Sequence, residues 1–130
     1  MIFFTGCVRS PLPPDVPPID PNLPTVDGVK TITDMTEVGF EWIPYYDEQI
    51  QGYYIYRQGP SDGGFVRIAK IEDRYMSHYV DSGLVPQTQY NYRMSTYSNA
   101  GQESHPSPVH TTQTKKRLDS VPFVQAIVGL

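Results

Sequence analysis

Short runs of alternating apolar and polar residues, separated by turn clusters, fill the chain from residue 26 to residue 113. In one of them Val38, Phe40 and Trp42 occupy every second position, which is typical of a strand with one buried face. No run shows the 3.6-residue period of an amphipathic helix. These runs predict an all-β fold, a seven-stranded β-sandwich. The predicted strands span residues 26–32, 38–43, 52–57, 65–71, 78–81, 90–98 and 109–113.

The clearest turn is the run from Ser61 to Gly64, which contains Asp62 and Gly63. Glycine accepts the positive φ that tight hairpin turns require, so this run predicts a β-hairpin between the third and fourth strands. A glycine-rich cradle for a phosphate is disfavoured, because such a loop leads into a helix and none is predicted here.

Residues 8–21 are rich in proline and precede the predicted strands. Proline fixes φ and removes a hydrogen-bond donor, so this segment cannot enter a helix or the interior of a sheet. We therefore expect an extended N-terminal tail, a polyproline II-like stalk about 40–50 Å long. The predicted domain follows this tail over residues 22–114.

The end of the chain carries an internal repeat. Residues 121–130 align with residues 23–32, one module length earlier, with a proline and a valine identical and three apolar positions matched in character. A repeat at the period of one module is typical of tandem arrays. Residues 115–130 are therefore predicted to be a linker and the first strand of a truncated second module.

Four segments of the predicted domain occur in an order that is typical of one family. They are the strand residues 40–42 around the only tryptophan, the strand 52–57, the corner 84–90 with its Leu-x-Pro-x-Thr-x-Tyr pattern, and the strand 94–101 that ends in Asn-Ala-Gly. These segments resemble fibronectin type III domains, and the resemblance covers residues 22–114. It implies an immunoglobulin-like β-sandwich that serves as an interaction or spacer module and is not an enzyme.

The resemblance also assigns structural residues. Trp42 is similar to the core tryptophan of the family and is expected to bury a large apolar area between the sheets. Tyr90 resembles the corner tyrosine, whose ring packs inside and whose hydroxyl bonds a backbone group of the preceding corner. Tyr54, Leu84 and Tyr92 complete the predicted structural core.

Residues 1–7 are apolar and end at the only cysteine, Cys7, which has no partner for an intrachain disulfide. Residues 4–7 are similar to the end of a bacterial lipoprotein signal peptide, in which the cysteine receives lipid. Six preceding residues are fewer than a full signal needs, so residues 1–7 are interpreted as the remnant of one; the alternative is that Cys7 is an incidental thiol. Cys7, stalk and sandwich together resemble the fibronectin-like surface lipoproteins of epsilonproteobacteria.

Charge and titratable residues give little support to catalysis or to nucleic-acid binding. The net charge is −4, and the basic run at residues 115–117 is too short to hold a phosphate backbone. His78, His105 and His110 lack metal-ligand spacing, and the acidic pairs 47–48 and 72–73 fall in predicted loops. We expect no enzymatic activity, no cofactor, no metal site and no nucleic-acid partner.

Two classes of function remain. The leading hypothesis is an adhesion module of a lipid-anchored protein at the bacterial outer membrane. Its partners would be host fibronectin or another extracellular matrix protein, the membrane through lipid on Cys7, and further modules in cis. The alternative is a spacer or accessory module of a secreted carbohydrate- or protein-degrading enzyme; an animal receptor ectodomain would not explain the cysteine and proline segment.

Aromatic side chains are favoured at interfaces, and the candidate binding residues are Tyr45, Tyr46, Tyr53, Tyr75 and Tyr97.

Overall fold

The computed structural model describes residues 17–117, which form two antiparallel sheets packed face to face. One sheet has the strand order β1-β2-β5 and the other the order β4-β3-β6-β7. The predicted seven-stranded β-sandwich is confirmed. Residues 1–16, with Cys7 and most of the predicted stalk, and residues 118–130, with the predicted second module, lie outside the described residues. The strands are β1 Lys30–Thr33, β2 Val38–Glu41, β3 Ile50–Gln58, β4 Val66–Ile71, β5 His78–Asp81, β6 Gln89–Ser98 and β7 His110–Gln113.

The core lies between the two sheets and is built around aromatic rings. The Trp42 side chain is 3% exposed and meets Tyr53 edge to face, with ring centroids 5.4 Å apart. Phe40 meets Tyr92 in the same way at 4.7 Å. Such edge-to-face pairs add about 0.5–1.5 kcal/mol beyond the area that they bury. The alternating side chains of β2 and of Trp42, which follows it directly, therefore form one wall of the core.

The structure places the five predicted core residues in two different environments. Trp42, Leu84, Tyr90 and Tyr92 all belong to the buried cluster between the sheets. Tyr54 is also buried, but it does not belong to that cluster. Successive side chains of a strand point to opposite faces, and its neighbour Tyr53 points inward, so Tyr54 lies on the outer face of the four-stranded sheet.

The first strand is shorter than predicted. Val26 is fully buried, whereas Ile32 is 82% exposed, although the sequence predicts both residues in one strand. The backbone turns between them at Gly28, which has a φ of 66° and whose N–H donates to the Asp27 carboxylate at 2.7 Å. This turn interrupts the alternation, and β1 begins only at Lys30.

The predicted hairpin joins β3 to β4, but its turn is not made in the expected way. Gly63 and Gly64 do not take a positive φ. The Asp62 carboxylate accepts a hydrogen bond from the Gly59 N–H at 2.7 Å, and the Asp62 N–H donates to the Gly59 carbonyl at 3.1 Å. Asp62 therefore closes the turn, as a short acidic side chain commonly does.

The corner before β6 is closed by Tyr90. Its ring is buried, and its hydroxyl oxygen accepts a hydrogen bond from the Val85 N–H at 3.0 Å. The Val85 carbonyl in turn accepts a bond from the Thr114 hydroxyl at 2.6 Å. The backbone of the corner is therefore held from both sides, by Tyr90 and by the residue that follows β7.

Replacing Tyr90 by phenylalanine is expected to lower the free energy of unfolding by about 1–3 kcal/mol, because the partly buried hydrogen bond between the Val85 N–H and the Tyr90 hydroxyl is lost. The measurement is urea denaturation followed by circular dichroism. Tyr46→Phe is the matched control, since the Tyr46 side chain is 65% exposed. Equal stability of the two variants would contradict the assignment of Tyr90 to the corner.

The chain enters and leaves the sandwich at opposite ends of β6. Near the end of β6, the Pro18 carbonyl and the Asp20 N–H are hydrogen bonded to the backbone of Glu103 at 2.9 and 2.8 Å. Near its start, the Lys115 N–H donates to the Asp34 carbonyl at 3.0 Å. We call these ends the N-terminal pole and the C-terminal pole. The ten residues of β6 separate the poles by about 30 Å.

Pro18, Ile19 and Asp20, which the sequence placed in the stalk, are thus part of the folded domain. Ile19 forms an isolated parallel bridge with Glu103, and Glu103 also bridges to Tyr97 of β6. Proline lacks an N–H but keeps its carbonyl, so a proline-rich segment can still accept a backbone hydrogen bond.

Candidate interaction surface

The outer face of the four-stranded sheet carries tyrosine rings interleaved with basic side chains. Tyr54 stacks on Tyr97 with ring centroids 4.5 Å apart, and the Arg67 guanidinium lies 4.4 Å from the centroid of the Tyr54 ring. The Lys70 ammonium lies 5.4 Å from the Tyr97 ring. Cations over aromatic faces contribute about 0.5–1 kcal/mol each at exposed sites. These contacts explain why Tyr54 and Tyr97 are buried without lying between the sheets.

A β-bulge in β4 brings its two basic residues to this face. Lys70 lies opposite Tyr54 and Arg67 lies opposite Tyr56, although the two basic residues are three positions apart in sequence. Residues an odd number apart in a regular strand point to opposite faces, and the extra residue of a bulge restores a common direction.

Glu103 is the polar centre of the same face. The Tyr56 hydroxyl donates to its two carboxylate oxygens at 3.0 and 2.8 Å, and the Ser95 hydroxyl donates to Oε2 at 2.5 Å. Burial, together with this hydrogen bond and the carboxylate charge, raises the pKa of Tyr56 well above its usual range. Because the Glu103 backbone also holds Pro18 and Asp20, this one residue joins the outer face to the N-terminal pole.

An open groove of about 520 Å³ separates the N-terminal segment from the edge strand β4, and we call it the β4 groove. Arg93 lines it, and its guanidinium lies 4.3 Å from the centroid of the Phe65 ring and 5.8 Å from that of the Tyr56 ring. The groove is lined by Pro17, Pro18, Ile19, Tyr56, Phe65, Val66, Arg67, Arg93, Glu103 and Pro106.

Only two of the five candidate binding tyrosines lie on the open surface. Tyr46 and Tyr75 are 65% and 57% exposed, and their ring centroids are 5.4 Å apart. Tyr53 and Tyr97 are buried, and the half-buried Tyr45 donates its hydroxyl to the Thr25 carbonyl at 3.0 Å. Sequence cannot separate these cases, because even the adjacent Tyr45 and Tyr46 differ in exposure.

The outer-face residues Tyr56, Arg67, Arg93 and Glu103 were not singled out from the sequence. A signal exists for Tyr56, since it shares a strand face with Tyr54 two positions earlier. No comparable signal exists for Glu103, which lies in the connection after β6 and meets Tyr56 only in the folded chain.

The three histidines have separate surroundings. His78 is exposed in the edge strand β5, and His105 is exposed in the connection before β7. The His110 ring nitrogen Nε2 is 2.8 Å from the Val29 carbonyl. Within residues 17–117 no three side chains of histidine, cysteine, aspartate or glutamate converge as a metal site would require. In that same part of the chain, no helix is long and apolar enough to cross a membrane.

The stability of the domain is expected to fall as the pH rises from about 10, the ordinary tyrosine pKa, towards 12. Burial, with a smaller contribution from Glu72, raises the pKa of Tyr97 to about 12. The unfolded chain therefore releases this proton before the folded chain does, and deprotonation favours unfolding. Below pH 10 the contribution of Tyr97 to the free energy of unfolding is fully present. Urea denaturation at several pH values measures the effect, which should be smaller in Tyr97→Phe; an identical decline in both proteins would contradict the assignment.

Solved structures with the same fold share little sequence with this chain. The chicken CNTN1 FN1–FN3 domains superpose with a TM-score of 0.63 at 18% identity, over 72% of this chain and 33% of that one. An Fn3-like protein from Clostridium thermocellum superposes with a TM-score of 0.55 at 26% identity, over 76% and 98% of the two chains. Both support the β-sandwich fold described above.

A protein of Niallia circulans named α-amylase is 33% identical to this chain over 123 residues. The match covers 85% of this chain but only 9% of that protein, so the similarity concerns one small part of a much longer protein. The profile of the fibronectin type III domain matches residues 24–113. The chain therefore belongs to the fibronectin type III domain family.

Proposed function

We propose that this domain is a non-catalytic, in-line module that holds neighbouring parts of a longer protein a fixed distance apart. The observation that carries the proposal is the position of the two chain ends. The backbone is hydrogen bonded at both poles, through Glu103 at one and Lys115 at the other, and the poles lie about 30 Å apart along β6. A chain that enters at one pole and leaves at the other adds length between its neighbours.

The protein that would contain this spacer is a secreted enzyme that degrades a polysaccharide or a protein. The partial similarity to a protein named α-amylase supports this choice, because fibronectin type III modules accompany catalytic domains in such enzymes. In this arrangement the chemistry belongs to another domain, and the module contributes spacing.

An adhesion role is the second candidate, and the exposed tyrosine pair supports it. Tyr46 and Tyr75 lie side by side, and the Arg74 guanidinium is 5.0 Å from the Tyr75 ring. Exposed aromatic and arginine side chains are enriched at binding hot spots. In this version the module belongs to an epsilonproteobacterial-type lipoprotein, anchored in the outer membrane by lipid on Cys7, and binds host fibronectin or another matrix protein.

The spacer proposal is tested by the distance between the poles. Spin labels are attached to Asn22→Cys and Lys116→Cys, both exposed positions, in a Cys7→Ser background. Double electron–electron resonance then measures the distance between the two labels. We expect a narrow distribution centred at about 30–40 Å. A much shorter mean distance, or a distribution as broad as that of an unfolded chain, would contradict the proposal.

The adhesion candidate is tested by surface plasmon resonance of the whole chain on immobilised fibronectin. Binding that is lost in Tyr46→Ala and Tyr75→Ala, but kept in Tyr45→Phe, would support this candidate. No binding of the unaltered chain would remove fibronectin as its partner.

A further inference from the structure

We propose that the β4 groove receives residues 11–16 of the same chain, the acidic proline-rich segment that leads directly into Pro17. The inference rests on the spacer function, since a docked segment would fix the direction in which the stalk leaves the sandwich. Three observations carry it: the shape and lining of the groove, two arginines that have no acidic partner among residues 17–117, and the composition of the segment itself.

The groove has the surface that binds extended proline-rich peptides. Its lining combines the rings of Tyr56 and Phe65 with the prolines Pro18 and Pro106. Proline-rich segments bind aromatic-lined grooves because their backbone is already fixed in an extended form, so that little entropy is lost on docking. Pro17 itself lines the groove, so the segment that precedes it is attached to the chain at the groove.

Two arginines present unused charge to the groove. Arg67 and Arg93 lie on either side of Tyr56, on β4 and β6, the two strands that flank β3. Among residues 17–117 neither guanidinium has a hydrogen bond or an ion pair, whereas Arg57 and Lys70 each pair with a carboxylate. A guanidinium stacked on an aromatic ring keeps its planar edge available for a carboxylate.

The neighbouring carboxylate of Glu103 does not neutralise these arginines. Its oxygens accept the hydroxyl hydrogens of Tyr56 and Ser95, and no arginine lies within ion-pair distance of it in the described part of the chain. The groove therefore favours an occupant that brings its own negative charge.

Residues 11–16 have the matching composition. Three of the six are proline, Leu12 and Val16 are apolar, and Asp15 is the only charged residue. Six residues in an extended proline-rich conformation span about 19 Å. The arginine strands β4 and β6 are separated only by β3, which places them about 10 Å apart. The segment is therefore long enough to cross the groove. Asp15 is two residues, about 6 Å of extended chain, before Pro17, and Pro17 lines the groove together with Arg67 and Arg93, so a docked segment holds the Asp15 carboxylate near these arginines.

The test uses the whole chain with a spin label just ahead of the segment, at Ser10→Cys in a Cys7→Ser background. Docking brings the label close to β4, so the amide NMR signals of Val66 and Arg67 are expected to be lost. The signals of Ile32 and Val80, on the outer face of the opposite sheet, serve as the internal reference and should persist. Persistence of the β4 signals overturns the proposal.

Charge reversal separates docking from mere proximity along the chain. Asp15→Lys is expected to restore the β4 signals without changing the fold. Glu48→Lys, which makes the same charge change at an exposed position in the β2–β3 connection, should leave the signal loss intact. Signal loss that survives Asp15→Lys overturns the proposal.

A mixture of spin-labelled chain and isotope-labelled chain identifies the molecule that supplies the segment. Signals that persist in the mixture support docking within one chain, whereas signal loss there assigns the groove to a second copy and overturns the proposal. The pole-to-pole measurement at residues 22 and 116 does not involve residues 11–16. Failure of the docking inference is therefore distinguishable from failure of the spacer function.

Discussion

Replacing Trp42 by alanine is expected to lower the free energy of unfolding by about 3–5 kcal/mol, because it removes the largest side chain of the core and leaves a cavity. The cavity cannot readily collapse. The facing Tyr53 ring is held by its hydroxyl, which donates to the Arg74 carbonyl and accepts from the Tyr45 N–H, both at 2.8 Å. Urea denaturation followed by circular dichroism measures the loss.

The matched control for this change is Ile43→Ala, at the next residue. The Ile43 side chain is 79% exposed, so its truncation should change the stability by no more than about 0.5 kcal/mol. Similar losses in the two variants would mean that the chain directly after β2 does not present Trp42 to the core, and the assignment of the faces would then be wrong.

Replacing Asp81 by alanine is expected to cost about 3–5 kcal/mol, because it leaves a partly buried cation without its partner. The Asp81 carboxylate accepts two bonds from the Arg57 guanidinium at 2.9 and 3.0 Å, and a third from the Tyr92 hydroxyl at 2.7 Å. Asp81 is 5% exposed, so water cannot easily replace it. The melting temperature and the urea midpoint should both fall.

Two further variants separate the charge from the position of Asp81. Asp81→Asn keeps a hydrogen-bond acceptor and should lose less stability than Asp81→Ala. Val80→Ala, at a neighbouring side chain that is 52% exposed, should have little effect. If Asp81→Ala is as stable as Val80→Ala, the three-residue network contributes nothing to folding.

The sandwich could be predicted from the sequence because its strongest signals are local. The alternation of Val38, Phe40 and Trp42 depends only on the two-residue period of a strand, and the folded chain buries all three. The corner around Tyr90 is equally local, because the Tyr90 hydroxyl accepts its hydrogen bond from the N–H of Val85, only five residues earlier.

The outer face could not be predicted, because its contacts join distant residues. Tyr53 and Tyr54 are identical and adjacent, and only the pairing of β3 with β6 decides which of them faces Trp42 and which faces Tyr97. Glu103 meets Tyr56, 47 positions earlier in the chain. No pattern of nearby residues reports such a contact, so the β4 groove also had no sequence signature.

The arrangement of the two poles determines how the domain would respond to mechanical tension on the chain. The terminal strands β1 and β7 belong to different sheets and are linked through the hydroxyls of Thr33 and Thr112, 2.5 Å apart, and through the His110 ring and the Val29 carbonyl. Because the chain enters at one pole and leaves at the other, a pulling force acts along both strands in opposite senses. The hydrogen bonds of each strand then share the load in shear instead of opening one after another, and the contacts of Pro18 and Asp20 with Glu103 bear it first.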